Sequence, residues 1–176
     1  MRGAYVTANQ EFDGTNMTEV TKTRIYQTTI IVLLLVIAVM AYKFIVAGST
    51  QETEDRRVAV ILEPGERALM LREMRDFVGG LQAIADALSR EDMKGAADAA
   101  RQMGTTRSHD VPAGMMGKLP LEFKTLALGV HRGFDSIAMD AETIGMPKHT
   151  LGQLSEVLQK CVGCHASYEV REARAK

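Results

Sequence analysis

Between Ile25 and Ala47 the chain carries an apolar run that a domain of this size cannot bury. Its centre reads Ile30-Ile31-Val32-Leu33-Leu34-Leu35-Val36-Ile37-Ala38-Val39-Met40-Ala41, and from Tyr26 to Gly48 the only charge is Lys43. At 1.5 Å rise per residue, about 23 such residues cross a hydrocarbon core about 30 Å thick. Lys43 lies near one end, where a long side chain can reach the interface, and Tyr26 and Tyr42 suit the two interfaces. The run is longer than the core of a typical signal peptide, so residues 25–47 are read as an uncleaved signal anchor. Lys22 and Arg24 precede it; Glu52, Glu54 and Asp55 follow it before Arg56 and Arg57. That bias puts the N-terminus in the cytoplasm and the rest of the chain across the membrane. Residues 1–24 are then a polar cytoplasmic tail without amphipathic period, expected to be held by a partner.

Beyond the span the pattern is helical. Ala, Leu, Met, Glu and Arg dominate, which favours helix over sheet. Residues 48–63 are expected to form a linker, with 58–62 either one turn of helix or an extended piece. Residues 64–176 are expected to form the folded domain. A first helix over 64–89 carries Met70, Leu71, Met74, Phe77, Val78, Leu81, Ile84, Ala85 and Leu88 at steps of three and four. Gly79-Gly80 interrupts it at about 1 kcal/mol per glycine relative to alanine. Such a cost marks either a kink or the close approach of something flat or of another backbone. A second helix over 91–107 presents Ala96, Ala97 and Ala100, and residues 108–119, with Pro112, Gly114 and Gly117, read as a loop. A third helix starts near Pro120 and carries Phe123, Leu126, Ala127, Val130, Phe134, Ile137, Ala138, Ala141 and Ile144 before Gly145-Met146-Pro147 stops it. A fourth over 147–173 places Leu151, Leu154, Val157, Leu158, Cys161, Cys164, His165 and Tyr168 on one face. The expected fold is all-α: an antiparallel four-helix bundle preceded by one transmembrane helix.

The chemistry of the chain gathers in Cys161-Val162-Gly163-Cys164-His165, which contains both of its cysteines. The spacing Cys-x-x-Cys-His is that of covalent c-type haem attachment. Two thiols add across the two vinyl groups of one haem, and the adjacent imidazole becomes an axial ligand. On a helix these residues lie over about one turn of one side. A structural zinc site needs four Cys or His ligands, and His109, His131 and His149 show no matching spacing. A dithiol redox pair would follow a strand in a βαβ pattern, and the residues before Cys161 have helical period. His131 lies beside the stripe of the third helix and reads as a rim or core histidine. His109 and His149 read as loop or helix-start residues. A net charge of −1 gives no electrostatic case for nucleic acid. No nucleophile or acid–base constellation stands out, so no enzyme active site is expected.

Over residues 66–171 the chain resembles the class II cytochromes c, the cytochrome c-prime family. The resemblance rests on a Met- and Arg-rich first helix, an Ala-rich second helix, and Cys-Val-Gly-Cys-His-Ala-Ser-Tyr late in the chain. The aromatic three residues after the family's histidine matches Tyr168; the basic residue that follows it does not, since Glu169 stands there and Arg171 comes two later. The anchor is not typical of the family's soluble members.

The resemblance implies one covalent haem c, held by Cys161 and Cys164 with His165 as proximal iron ligand. It also implies either a methionine from the first helix as sixth ligand, or an apolar residue over an open site that binds nitric oxide or carbon monoxide. With Arg67 in the family's arginine position the distal residue is Leu71; a shift of three gives Met74, and a shift of minus one gives Met70. Met74 is the first choice and Met70 the second. Arg67, Arg72 and Arg75 are candidates for the haem propionates. The expected function is single-electron transfer at the bacterial inner membrane, haem domain in the periplasm, as a subunit of a respiratory or photosynthetic complex. Its partners would be the other redox subunits, donor and acceptor proteins and the lipid bilayer. A gas-binding or sensing protein is the alternative, and a haem with a mainly structural role is a third class.

Overall fold

A computed structural model describes residues 14–106 and 111–173. Of the polar tail expected over residues 1–24, residues 1–13 lie outside the described residues, as do residues 107–110 with His109 and the last three; residues 14–24 are helical instead, the start of a helix that continues into the apolar run. The chain divides into two compact units after Met40.

The first unit is the helix α1, Gly14–Ala41, to within one residue. Among its described side chains the apolar ones face outward, from Ile25 at 58% exposed to Val39 at 68%. The hydroxyls of Thr28 and Thr29 donate to the carbonyls of Arg24 and Ile25 at 2.9 Å, so neither needs water as a partner. By length and composition, residues 21–47 can span a membrane or act as a signal sequence.

The second unit opens with a π-helical turn, Tyr42–Ala47. Residues 48–63, expected as a linker, carry two strands instead. These are β1, Thr50–Glu52, and β2, Val58–Leu62, paired antiparallel. Of the two options for residues 58–62, the extended one holds. The turn between the strands is tied by Thr53, whose N–H donates to the Arg57 carbonyl at 3.0 Å and whose hydroxyl donates to Asp55.

Helix α2, Pro64–Ser89, begins where the residues said it would. Pro64 occupies its first turn, and Glu66 reaches back to accept the Glu63 N–H at 2.9 Å. Helix α3, Met93–Arg101, starts two residues later than expected because Asp92 caps it, accepting the Gly95 N–H at 2.9 Å, and it ends at Arg101, short of the expected residue 107. One turn, α4, Ala113–Met116, interrupts the expected loop. Helices α5, Leu121–Thr143, and α6, Pro147–Ser167, follow.

Four helices share one core: Ile84 from α2, Ala100 from α3, Phe134 and Ile137 from α5, Leu154 and Val157 from α6. A Cβ on Gly133 would stand 2.5 Å from Val157 Cγ2, so α5 and α6 approach at a glycine. The described chain is thus mostly helical, but it is not all-α. Helix α6 stops at Ser167, and Tyr168–Glu172 form β3, pairing parallel with β2 from Val58↔Tyr168 to Leu62↔Glu172. The expected continuation to residue 173 fails because Tyr168 and Val170 alternate with Glu169 and Arg171. That period of two puts one face on the core and leaves the backbone to an open strand edge. A second core lies between sheet and helices, built from Val60, Leu62, Met70, Met115, Phe123 and Tyr168. The stripe expected on α6 also splits: Leu154 and Val157 are buried, whereas Leu151 and Leu158 are 57% and 41% exposed.

Candidate functional site

Near the C-terminal end of α6 the helix carries Cys161, Cys164 and His165 within little more than one turn. Both cysteines are half-buried and free. They touch different parts of the interior. Cys161 packs on the four-helix core, and Cys164 on the core beside the sheet. A cavity of about 460 Å³ lies between those cores, within the range usual for cofactor sites. Cys161, Cys164 and His165 line it from α6, and Met70, Leu71 and Met74 from α2. The wall also includes Phe77, Phe123 and His131, so it is largely apolar with few polar atoms. Met70 is buried, 5% exposed, and Met74 is partly buried against the same cluster.

Burial pushes both thiols above their ordinary pKa, and for Cys164 the neighbouring Cys161 adds to the rise. At neutral pH they are thiols. That is the opposite of the electropositive setting that makes a dithiol pair a ready nucleophile. Among the described residues no three His, Cys, Asp or Glu side chains converge closely enough to hold a metal ion. The imidazole and sulfur donors on the cavity wall are His165 and His131, the two thiols, and the thioethers of Met70, Met74, Met115 and Met116.

His131 is buried, as a core histidine. Its Nδ1 lies 2.7 Å from the Met103 carbonyl, which only accepts, so that nitrogen carries the proton. Its Nε2 lies 3.6 Å from Glu73 Oε1. The Phe77 ring, 5.3 Å away, holds the imidazole in place. His149 stands in the first turn of α6, 3.1 Å from Asp140 Oδ2.

Of the three arginines expected near the haem carboxylates, Arg67, Arg72 and Arg75, none lines the cavity; Arg72 and Arg75 are exposed. The cations on the wall are Arg57, just ahead of β2, and Lys124 from α5. Arg57 Nη2 donates to Glu169 Oε2 at 2.6 Å, and Glu169 is also paired with Arg171. The carboxylate found where the family carries a base is thus bonded to a guanidinium from elsewhere in the chain. No local signal could have assigned Arg57, because the sheet brings it in from 112 positions away. Tyr168 lies edge-on to Phe123, centroids 5.3 Å apart, and its hydroxyl donates to Glu122 at 3.2 Å. Burial, then the Glu122 carboxylate, raises the pKa of that phenol, so it remains a donor.

Comparison of the sequence with models of protein families and with curated proteins, and of the fold with solved structures, finds no match.

Proposed function

We propose that this chain is a membrane-anchored c-type cytochrome that passes single electrons, built on a four-helix bundle of the cytochrome c-prime kind with a small sheet at its side. The observation that carries the reading is one cavity that takes Cys161, Cys164 and His165 from α6 and two methionines from α2. The donor set fits haem c. Two half-buried thiols are spaced for two thioethers, one imidazole suits a proximal ligand, and a thioether wall suits a sixth. Bound haem would supply the one-electron iron couple. The protein's part would be to staple the macrocycle through Cys161 and Cys164 and ligate through His165. Met74 is the first choice for the sixth position and Met70 the second. The apolar wall would exclude water and so favour the less charged, reduced state.

The rest of the proposal follows from the anchor. A cytoplasmic N-terminus and a periplasmic haem domain agree with the charge bias around residues 25–47. Confinement to the inner membrane raises the effective concentration near membrane-bound redox partners, in a respiratory or photosynthetic complex. A second reading, a five-coordinate protein that binds nitric oxide or carbon monoxide, is favoured by one observation: Leu71, no iron ligand, lines the same cavity.

The test is spectroscopic. Haem should stay attached through acid–organic extraction, and the oxidised protein should be low-spin with the weak sulfur-to-iron band. Met74→Ala should abolish that band and open the site to small ligands. Band loss in Met70→Ala instead would move the ligand by one turn. A high-spin spectrum would favour the gas-binding reading, and recovery of free haem would remove the covalent site altogether.

A further inference from the structure

We propose a second membrane contact: the face of the domain carrying Met116 and Leu121 lies on the surface of the bilayer that residues 25–47 would cross. The inference rests on the anchor reading; Met116 and Lys124 of this face also line the cavity described above.

The apolar run does not end with the first unit. Its last stretch, Tyr42–Ala47, is part of the second unit and is fastened there. Lys124 Nζ donates to the carbonyls of Phe44 and Ile45, 3.2 Å each. The Ser49 N–H donates to the Lys118 carbonyl at 2.7 Å. Gly48 runs so close to this segment that a Cβ on it would stand 2.7 Å from the Pro120 nitrogen, and its φ is +64°. The Phe44 ring lies on the end of α4, since a Cβ on Gly117 would meet Phe44 Cδ1 at 3.0 Å.

These contacts join the end of the span to α4 and the first turn of α5. There the domain leaves apolar side chains uncovered: Leu121 is 45% and Met116 39% exposed, beside Phe44 at 55% and Ile45 at 56%. The patch therefore continues a segment that is itself apolar enough for lipid. Lysines ring it. Lys43 and Lys124 give their bonds to backbone carbonyls, which carry no net charge, while Lys118 is paired with Glu66 and Glu63. Apolar side chains at the centre with uncompensated ammonium groups beside them suit an acyl–headgroup boundary with anionic phosphates. That continuity and that charge favour a lipid surface over a protein partner.

The chain contains no tryptophan, so single tryptophans report without background. The full chain is reconstituted in phosphatidylethanolamine–phosphatidylglycerol vesicles with bromine on the acyl chains. Met116→Trp and Leu121→Trp are compared with Leu151→Trp, an exposed site at the start of α6. The 23 residues of α5 separate the two regions by about 35 Å of helix. Quenching at positions 116 and 121 should exceed that at 151 several-fold. Equal quenching at all three, in protein that resists carbonate extraction, overturns the contact and leaves the anchor standing. Release by carbonate overturns both.

Discussion

Gly79 and Gly80 stand side by side in α2 and meet different surroundings. Nothing lies within 4 Å of a Cβ on Gly79, whereas one on Gly80 would run into the Met103 side chain. Met103 is itself buried, 5% exposed, and its carbonyl holds His131 Nδ1. The pair does mark a close approach, but of a methionine side chain rather than of a plane or a backbone. Two opposite outcomes are expected from one chemical change. Gly79→Ala should raise stability by about 0.5–1 kcal/mol through helix propensity alone. Gly80→Ala gains the same amount and loses about 1–3 kcal/mol to overpacking, so its melting temperature should fall. Thermal unfolding of the two variants side by side checks this; equal shifts would mean that Met103 moves aside freely. At this scale the gathering of Cys161, Cys164 and His165 on one wall was legible, because they fall within five consecutive residues of a helix. The methionine that would stand opposite them was not, since Met70 and Met74 both line the cavity and a methionine on a helix stripe is also ordinary core.

Helices were legible as elements because their period repeats locally over many residues. The apolar steps of α2 run from Met70 to Leu88 across most of Pro64–Ser89, in spite of Gly79 and Gly80. The strands were not. β1 has three residues, all exposed, and β3 is five residues directly after a helix whose stripe they seem to extend. What makes Tyr168–Glu172 a strand is its partner β2, and no local pattern reports a partner that distant. The hairpin turn has a pH signature of its own. Hydrogen bonds from Thr53 and then Arg57 hold the Asp55 carboxyl at about 2, below the ordinary 3.8. A carboxylate with a depressed folded pKa adds stability above its unfolded value and loses it as pH falls through the folded one. Asp55 should therefore stabilise the turn fully above about pH 4 and give that up between about pH 4 and 2. The group is solvent-exposed, so the effect is small. Asp55→Asn should lower the melting temperature at pH 7 and flatten its decline over that acid window. An unchanged acid limb would show that Asp55 does not contribute.

Over the whole molecule, an apolar helix leads into a domain whose sheet joins residues near its start to residues near its end. Arg57 meets Glu169 and Val58 pairs with Tyr168, although the chain between them contains every helix of the domain from α2 to α6. Closing so large a loop costs entropy before any contact repays it, and non-local pairings of this kind form slowly. Helices α5 and α6, joined by a short turn, face no such delay. Pulse-labelled amide exchange during refolding should protect the amides of α5 and α6 before those of Val60 and Val170; simultaneous protection would contradict this order. The parallel strand pair also has a consequence in time for a chain that is made from its N-terminus onward. β2 emerges early and must wait, one edge unpaired, for nearly the whole sequence to follow. The segment it waits for begins three residues after His165, so Cys161 and Cys164 arrive just before the strand that completes the sheet. If the proposed attachment holds, an enzyme that joins haem to these two thiols would meet a wall that still lacks its last strand.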